Sequence, residues 1–193
     1  MELILASGSP RRRELLTRLC LAYSVRKAYI DESMDPSRGA EAEVARISRA
    51  KAEAVRSTLP ENALILAADT VVCLDDAILG KPKSPEEAAA MLTSLSGRSH
   101  LVRTGVSLLQ GSRCLTEVET TEVFFRDLSP EEIAAYVASG EPMDKAGAYG
   151  IQGLASVFVS SIHGDYFNVM GLPLCRLSRM LAQFGVSLFP HVP

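Results

Sequence analysis

The stretch Leu64 to Leu74 is apolar except where Asp69 and Thr70 interrupt it. It is shorter than the roughly 18 apolar residues of a membrane span, and its pattern is that of a strand buried in a sheet. The Asp75-Asp76 pair after it marks a turn into a short strand, Ala77 to Leu79. Around this run, strand-like and helical segments alternate. Leu3 to Ala6 reads as a buried strand that passes through a Ser/Gly/Pro turn into a helix over Arg11 to Leu19. Tyr23 to Ala28 reads as a strand, and Ala40 to Leu59, rich in Ala, Glu, Arg and Lys, as a long helix. Leu101 to Leu109 and Glu117 to Arg126 form a hairpin across Gln110-Gly111-Ser112. The glycine-rich stretch Gly147 to Gly153 precedes a strand over Val157 to Ile162, and a Gly171-Leu172-Pro173 turn leads into a last helix ending near Phe184. The expected fold is α/β: a mixed, twisted sheet with flanking helices, formed by residues 1–193 as one domain.

Charge limits the partners. The chain of 193 residues carries 20 Lys plus Arg against 23 Asp plus Glu, a net charge of -3, so nucleic-acid binding through bulk charge is disfavoured and any anionic partner must meet a local basic site. Leu3 to Ala6 is too short for a signal-peptide core, and Arg11, Arg12 and Arg13 follow it instead of preceding it; a cytoplasmic location is the expectation. Cys20, Cys73, Cys114 and Cys175 are widely spaced in apolar surroundings and read as buried thiols. His100, His163 and His191 are scattered and receive no function.

Three segments begin with the same signal, Ser then Pro. Ser84-Pro85-Glu86-Glu87 and Ser129-Pro130-Glu131-Glu132 put Ser at the N-cap, Pro at the first helical position and Glu three residues after the cap, the pattern of a capping box. Ser9-Pro10 continues instead with Arg11 and Arg12. Cations in a first helical turn oppose the partial positive charge there by roughly 0.3 to 1 kcal/mol each. An anion would offset this: backbone N–H groups, the hydroxyls of Ser7 and Ser9 and the adjacent guanidinium groups together make a phosphate site at a strand-to-helix turn. The spacing is not that of a Walker loop.

Burying Asp69 in an apolar strand is costly without a partner. The residue pattern allows a divalent-metal ligand, a general base, or a structural carboxylate that caps a turn or pairs with a lysine. Lys81, between Gly80 and Pro82, can present an ammonium to a phosphate, and Asp31-Glu32 can help hold a cation; each also fits an ordinary solvated loop. In Asp144 to Gly153, small residues around Gln152 permit close approach of a ligand, and an amide can read a base edge.

Taken in order, LASGSPRR, Asp31-Glu32, Lys51 in the long helix, AADTVV, GKP, DKAGAYGIQG and GLP resemble the Maf family over nearly the whole chain. The resemblance implies an elongated, two-lobed protein with a central cleft, related in architecture to inosine triphosphate pyrophosphatases and commonly a homodimer. It implies hydrolysis of a nucleoside triphosphate to the monophosphate and pyrophosphate with a divalent metal, Mg²⁺ or Mn²⁺. SPRR, the Thr after the motif aspartate and GIQG look like the branch acting on dTTP and UTP, which would clear the nucleotide pool, including modified pyrimidine nucleotides. By that resemblance Arg11, Thr70 and Gln152 occupy specificity positions, with Ser7, Ser9 and Arg12 also against substrate. Asp69 is the proton acceptor and, with Glu32, the acidic metal site; Lys51 and Lys81 lie near the phosphates. The alternatives are the 7-methyl-GTP branch and a non-catalytic regulator of septum formation that binds nucleotide or nucleic acid.

Overall fold

The computed structural model describes residues 2–189, so His191 lies outside the described residues. The strands β1 (Leu3–Leu5), β2 (Tyr23–Val25), β3 (Leu64–Leu74), β4 (Ala77–Leu79), β5 (Ser99–Gln110), β6 (Arg113–Phe125) and β7 (Val159–His163) form one mixed sheet. Its order is β2-β1-β3-β5-β6-β7, with β4 also paired to β3. The pairings of β1 with β2 and β3 are parallel and the others antiparallel. The helices are α1 (Pro10–Arg18), α2 (Ala40–Arg56), α3 (Pro85–Leu95), α4 (Pro130–Ala138), α5 (Tyr166–Val169) and α6 (Leu174–Gln183). None of the described helices is long and apolar enough to cross a membrane.

Strand β3 explains why its sequence is apolar on both sides of the alternation. Leu64, Leu66, Ala68, Val72 and Leu74 enter the main core with Leu92 of α3, Ile133 of α4 and Leu177 of α6. Ile65 and Ala67 enter a second core with Ala52 and Val55 of α2, and Val71 and Cys73 a third with Val44 of α2. Successive strand side chains point to opposite faces, so both faces of β3 are covered. Fully burying a Leu or Ile contributes roughly 1.5–3 kcal/mol, which makes this central strand the anchor of both layers.

The edges of β3 are used unequally. On one edge β5 pairs continuously from Ile65 to Cys73. On the other, β1 pairs with Leu64 to Leu66 and β4 with Val72 to Leu74. Between them, from Ala67 to Val71, no strand continues that edge among the described residues. Asp69 and Thr70 lie in this gap.

Local chemistry sets the remaining boundaries. The hairpin between β5 and β6 has Gln110 opposite Arg113, so its loop is Gly111-Ser112, with Gly111 at φ 54, and β6 starts earlier than the pattern suggests. Strand β2 ends at Val25, short of the expected Ala28, and β7 begins at Val159 because Leu154–Phe158 coils into a 3-10 turn. Ser129 and Glu132 form the complete capping box, whereas the Glu87 carboxylate accepts from Lys83 N and leaves only the Ser84 half of the second. The cysteines depart from expectation: Cys73 is buried and Cys114 partly so, but Cys20 and Cys175 are exposed, and all are free thiols. Cys20 follows the last turn of α1 at φ 54, and Cys175 occupies the solvent side of α6, positions that an apolar local sequence does not reveal.

Helix α2 lies flush on β5 at Gly105. A methyl group there would sit 2.3 Å from the Val44 carbonyl oxygen. Gly105→Ala should therefore destabilise the fold by about 2 kcal/mol, because backbone must move to admit the added carbon. Urea unfolding of the variant beside the parent protein checks this.

Candidate active site

A cleft of about 880 Å³ opens at the gap in the sheet. Its walls are the segment after β1, the segment after β2, the exposed edge of β3 and the loop after β4, with Asp144, Tyr149 and Gly171 closing the far side. Because β1 and β2 run parallel to β3, their C-terminal ends open beside the middle of β3 here, and ends of parallel strands are where open α/β sheets place ligands.

The Ser7–Arg12 segment is built around its own hydrogen bonds. Ser9 caps α1 by accepting from Arg12 N at 3.5 Å, and Ser7 Oγ accepts from Ser9 N at 3.2 Å. The first turn of α1 holds no acid, unlike those of α3 and α4. Arg12 is buried, donating from Nε to Gly171 O at 2.8 Å, from Nη1 to Ser7 Oγ at 3.3 Å and from Nη2 to Thr70 Oγ1 at 3.0 Å. Burial lowers its pKa, against which the charges of Asp69 and Glu32 act. Much of its donor capacity thus ties the loop to β3 and to the turn before α6. Thr70 Oγ1 also meets Thr104 Oγ1 at 2.9 Å, so the Thr70 hydroxyl is fixed in a network on the opposite face of the sheet from Asp69.

Asp69 faces α2. Lys51, one turn from the end of that helix, donates from Nζ to Asp69 Oδ1 at 2.7 Å and to Glu32 Oε2 at 2.8 Å. Lys51 and Asp69 are 7% and 6% exposed, so each supplies the charge that makes burial of the other tolerable. Of the expected acidic pair only Glu32 reaches this cluster. Asp31 turns away and accepts from Ser33 N and Ser33 Oγ, both at 2.9 Å, bonds that lower its pKa.

Around this cluster the cleft is basic. Arg11, Arg12, Lys27, Lys51, Lys81 and Lys83 face it against Glu32, Asp69 and Asp144, an excess of cations in a chain of net charge -3. Among the described residues, Arg11, Lys27, Lys81 and Lys83 have no carboxylate within ion-pair distance. Lys27 and Lys83 were not singled out by sequence reasoning. The signal for Lys27 is topological, since it follows a strand parallel to β1; Lys83 lies two positions after Lys81 in the same loop. Ser7, Ser9, Arg11, Arg12, Glu32, Lys51, Asp69, Thr70 and Lys81 all line this cleft. Gln152 is not: it is exposed and lies outside the lining of the cleft, because the 150–153 turn directs it to solvent. Tyr149 takes the inward position in that motif. Its hydroxyl meets His100 Nε2 at 2.8 Å, and His100 in turn stacks edge-on with Phe125.

Asp69 and Glu32 are hard oxygen donors, the type that suits Mg²⁺ or Mn²⁺. Among the described residues no group of three or more His, Cys, Asp and Glu is placed to hold a metal ion. Two carboxylates fit a cation that takes its other ligands from water and substrate phosphates.

The family described as Maf-like protein matches residues 2–184. A protein of Moorella thermoacetica named dTTP/UTP pyrophosphatase is 51% identical over 193 residues, covering 99% of this chain and 99% of its own. One of the same name from Geobacillus sp. is 51% identical, covering 95% and 98%. Among solved structures, a HAM1 protein from Coxiella burnetii aligns with a TM-score of 0.49 and 16% identity, over 95% of this chain and 99% of that one.

Lys51→Met should destabilise the fold by about 3 kcal/mol at neutral pH, since it leaves Asp69 buried without its cation; adding Asp69→Asn should recover part of the loss in urea unfolding. A second outcome concerns pH. Burial lowers the pKa of His100 to about 4, below its ordinary value of 6.5. The unfolded chain then binds the extra proton as pH falls below 6.5, so stability present at pH 7 should drop by about 2 kcal/mol by pH 5. His100→Asn should flatten that part of the slope in unfolding midpoints measured from pH 7 to 5.

Proposed function

The chain belongs to the Maf family, and on that premise we propose that it hydrolyses dTTP and UTP to the monophosphate and pyrophosphate, clearing the nucleotide pool of pyrimidine triphosphates. The observation that carries this reading is the placement of the buried Lys51–Asp69 pair at a gap in the sheet, facing cations that have no carboxylate partner. A triphosphate brings the missing negative charge.

In this reading Arg11 and Lys81 hold phosphate oxygens, with the Ser7–Ser9 loop and the first turn of α1 beside them. Asp69 accepts a hydrogen bond from a water at the α-phosphorus. As the new O–P bond forms, the water's proton passes to Asp69, and the bond from the α-phosphorus to the bridging oxygen breaks, releasing pyrophosphate. Lys51 holds Asp69 in place and balances its charge, and Arg12 fixes the loop and Thr70 around the substrate. A divalent cation held by Asp69, Glu32 and phosphate oxygens would supply charge neutralisation at the reacting phosphate. Thr70 lines the cleft and fits a specificity position. Gln152 faces solvent here, and we assign it no contact with the base. The proposal includes a homodimer, which rests on the family resemblance, and a cytoplasmic location, which rests on the sequence reading.

Chromatography of products from dTTP, UTP, 7-methyl-GTP and the purine triphosphates, with Mg²⁺ or Mn²⁺, tests the reading. Monophosphate plus pyrophosphate from dTTP and UTP is expected, with turnover lowered about 100-fold or more in Asp69→Asn. Preference for 7-methyl-GTP would move the chain to the other branch. No turnover of any nucleotide would overturn the enzymatic reading.

A further inference from the structure

The cations of the cleft are not equivalent. Lys51 is held between two carboxylates, and Arg12 spends donors on Ser7, Thr70 and Gly171. Lys27 has neither commitment. It follows β2, and its stem crosses the phosphate loop: a methyl group placed on Gly8 would lie 3.6 Å from both Cδ and Cε of Lys27. Beyond the loop, its ammonium stands 5.2 Å from the centroid of the Tyr29 ring. Tyr29 is 81% exposed, too open for its place to be explained by burial of its own ring. A cation over an aromatic face is attracted to it without being neutralised. Tyr29 thus supports the ammonium while leaving its charge available to an anion.

We propose that Lys27 binds the pyrophosphate portion of the substrate beside the Ser7–Ser9 loop, and that Tyr29 is the positioning residue that holds its ammonium there. The inference rests on the pyrophosphatase reading above. Pyrophosphate carries more negative charge than the monophosphate product, so an unpaired cation at the cleft mouth favours that end of the substrate. The Lys27 stem packs over Gly8 at van der Waals distance from where a side chain would begin, which keeps the stem against the loop. Lys27 is a binding residue, and its effect belongs on affinity for the phosphate chain, whereas the proton transfer at Asp69 does not pass through it.

Lys27→Met keeps the stem and removes the charge; Tyr29→Leu removes the ring and keeps the charge. Both side chains are exposed, so neither change disturbs the core. Calorimetric titration with inorganic pyrophosphate in Mg²⁺ should show affinity falling about five- to tenfold in Lys27→Met, with a matching rise in KM for dTTP and a much smaller change in kcat. Affinity for the nucleoside monophosphate should change less than for pyrophosphate. Tyr29→Leu should lose about two- to threefold, and the double variant should bind no more weakly than Lys27→Met, because the ring acts only through the ammonium. Wild-type pyrophosphate affinity in Lys27→Met, in a protein that turns over dTTP, would overturn the assignment and leave the pyrophosphatase reading standing. A loss confined to the monophosphate would overturn it too, and multiplying losses in the double variant would remove Tyr29 from the role. If wild-type protein neither binds pyrophosphate nor hydrolyses dTTP, the parent reading fails and this one with it.

Discussion

The ion pair between Lys51 and Asp69 joins two parts of the molecule that differ sharply in character: a polar, alanine-rich helix and the long apolar strand at the centre of the sheet. Lys51 lies on the same face of α2 as Val44, Ile47, Ser48, Ala52 and Val55, all buried against the sheet. An ammonium on that face is acceptable only if a carboxylate meets it, and the carboxylate is acceptable only because the ammonium is there. Gly105 on the neighbouring strand allows α2 to come close enough for the bond, and Ser48 meets Ser107 at 2.9 Å a turn away. Closeness of helix to sheet and compensation of charge are therefore one constraint.

The same constraint explains the shape of the site. A continuous edge on β3 would cover Asp69 and Thr70 with another strand. Because β1 stops at Leu5 and β4 stops at Leu79, opposite Val72, the edge is left to a loop on each side, and both loops carry or lead to cations. Asp69 and Thr70, adjacent in sequence, point to opposite faces and are tied to different elements, the first to α2 and the second to Arg12 of α1 and Thr104 of β5. This edge of β3 is thus fixed from both layers, which would suit the proposed catalysis by positioning.

Much of this was legible because it was local. The apolar run of β3, the Ser-Pro helix starts and the β5–β6 hairpin each carry their signals within a few residues. The contrast between Glu-Glu and Arg-Arg after Ser-Pro singled out a loop that lines the cleft. What could not be read were matters of tertiary direction. Nothing near Gln152 says that Tyr149 turns inward and Gln152 outward; that follows from Ala148 at φ 60 and the 3-10 turn after Gly153, which are set by packing against β3 and by the Tyr136 and Glu141 side chains. Local sequence does not separate Asp31 from Glu32; the resemblance pointed to Glu32, and it is Glu32 that reaches Lys51, a residue far along the chain. The exposure of Cys20 and Cys175 depends on which side of a helix or its end faces solvent, not on the apolarity of their neighbours.

The distribution of charge then becomes a functional argument. Surface pairs such as Arg49–Glu53 and Arg98–Asp75 engage their cations locally and contribute little, since exposed pairs are worth at most about 1 kcal/mol. In the cleft, by contrast, Glu32 and Asp69 are both held by Lys51 and Asp144 by Lys145, while Arg11, Lys27, Lys81 and Lys83 have no carboxylate within ion-pair distance among the described residues. Unpaired like charges repel one another, a cost to folding that a stable scaffold carries only at a few positions. In the function proposed above, a polyanion relieves that repulsion on binding, and the strain of holding the cations together reappears as affinity for a phosphate chain. Once the chain is cut and the pyrophosphate leaves, the repulsion returns, and the cleft is again complementary to the next triphosphate.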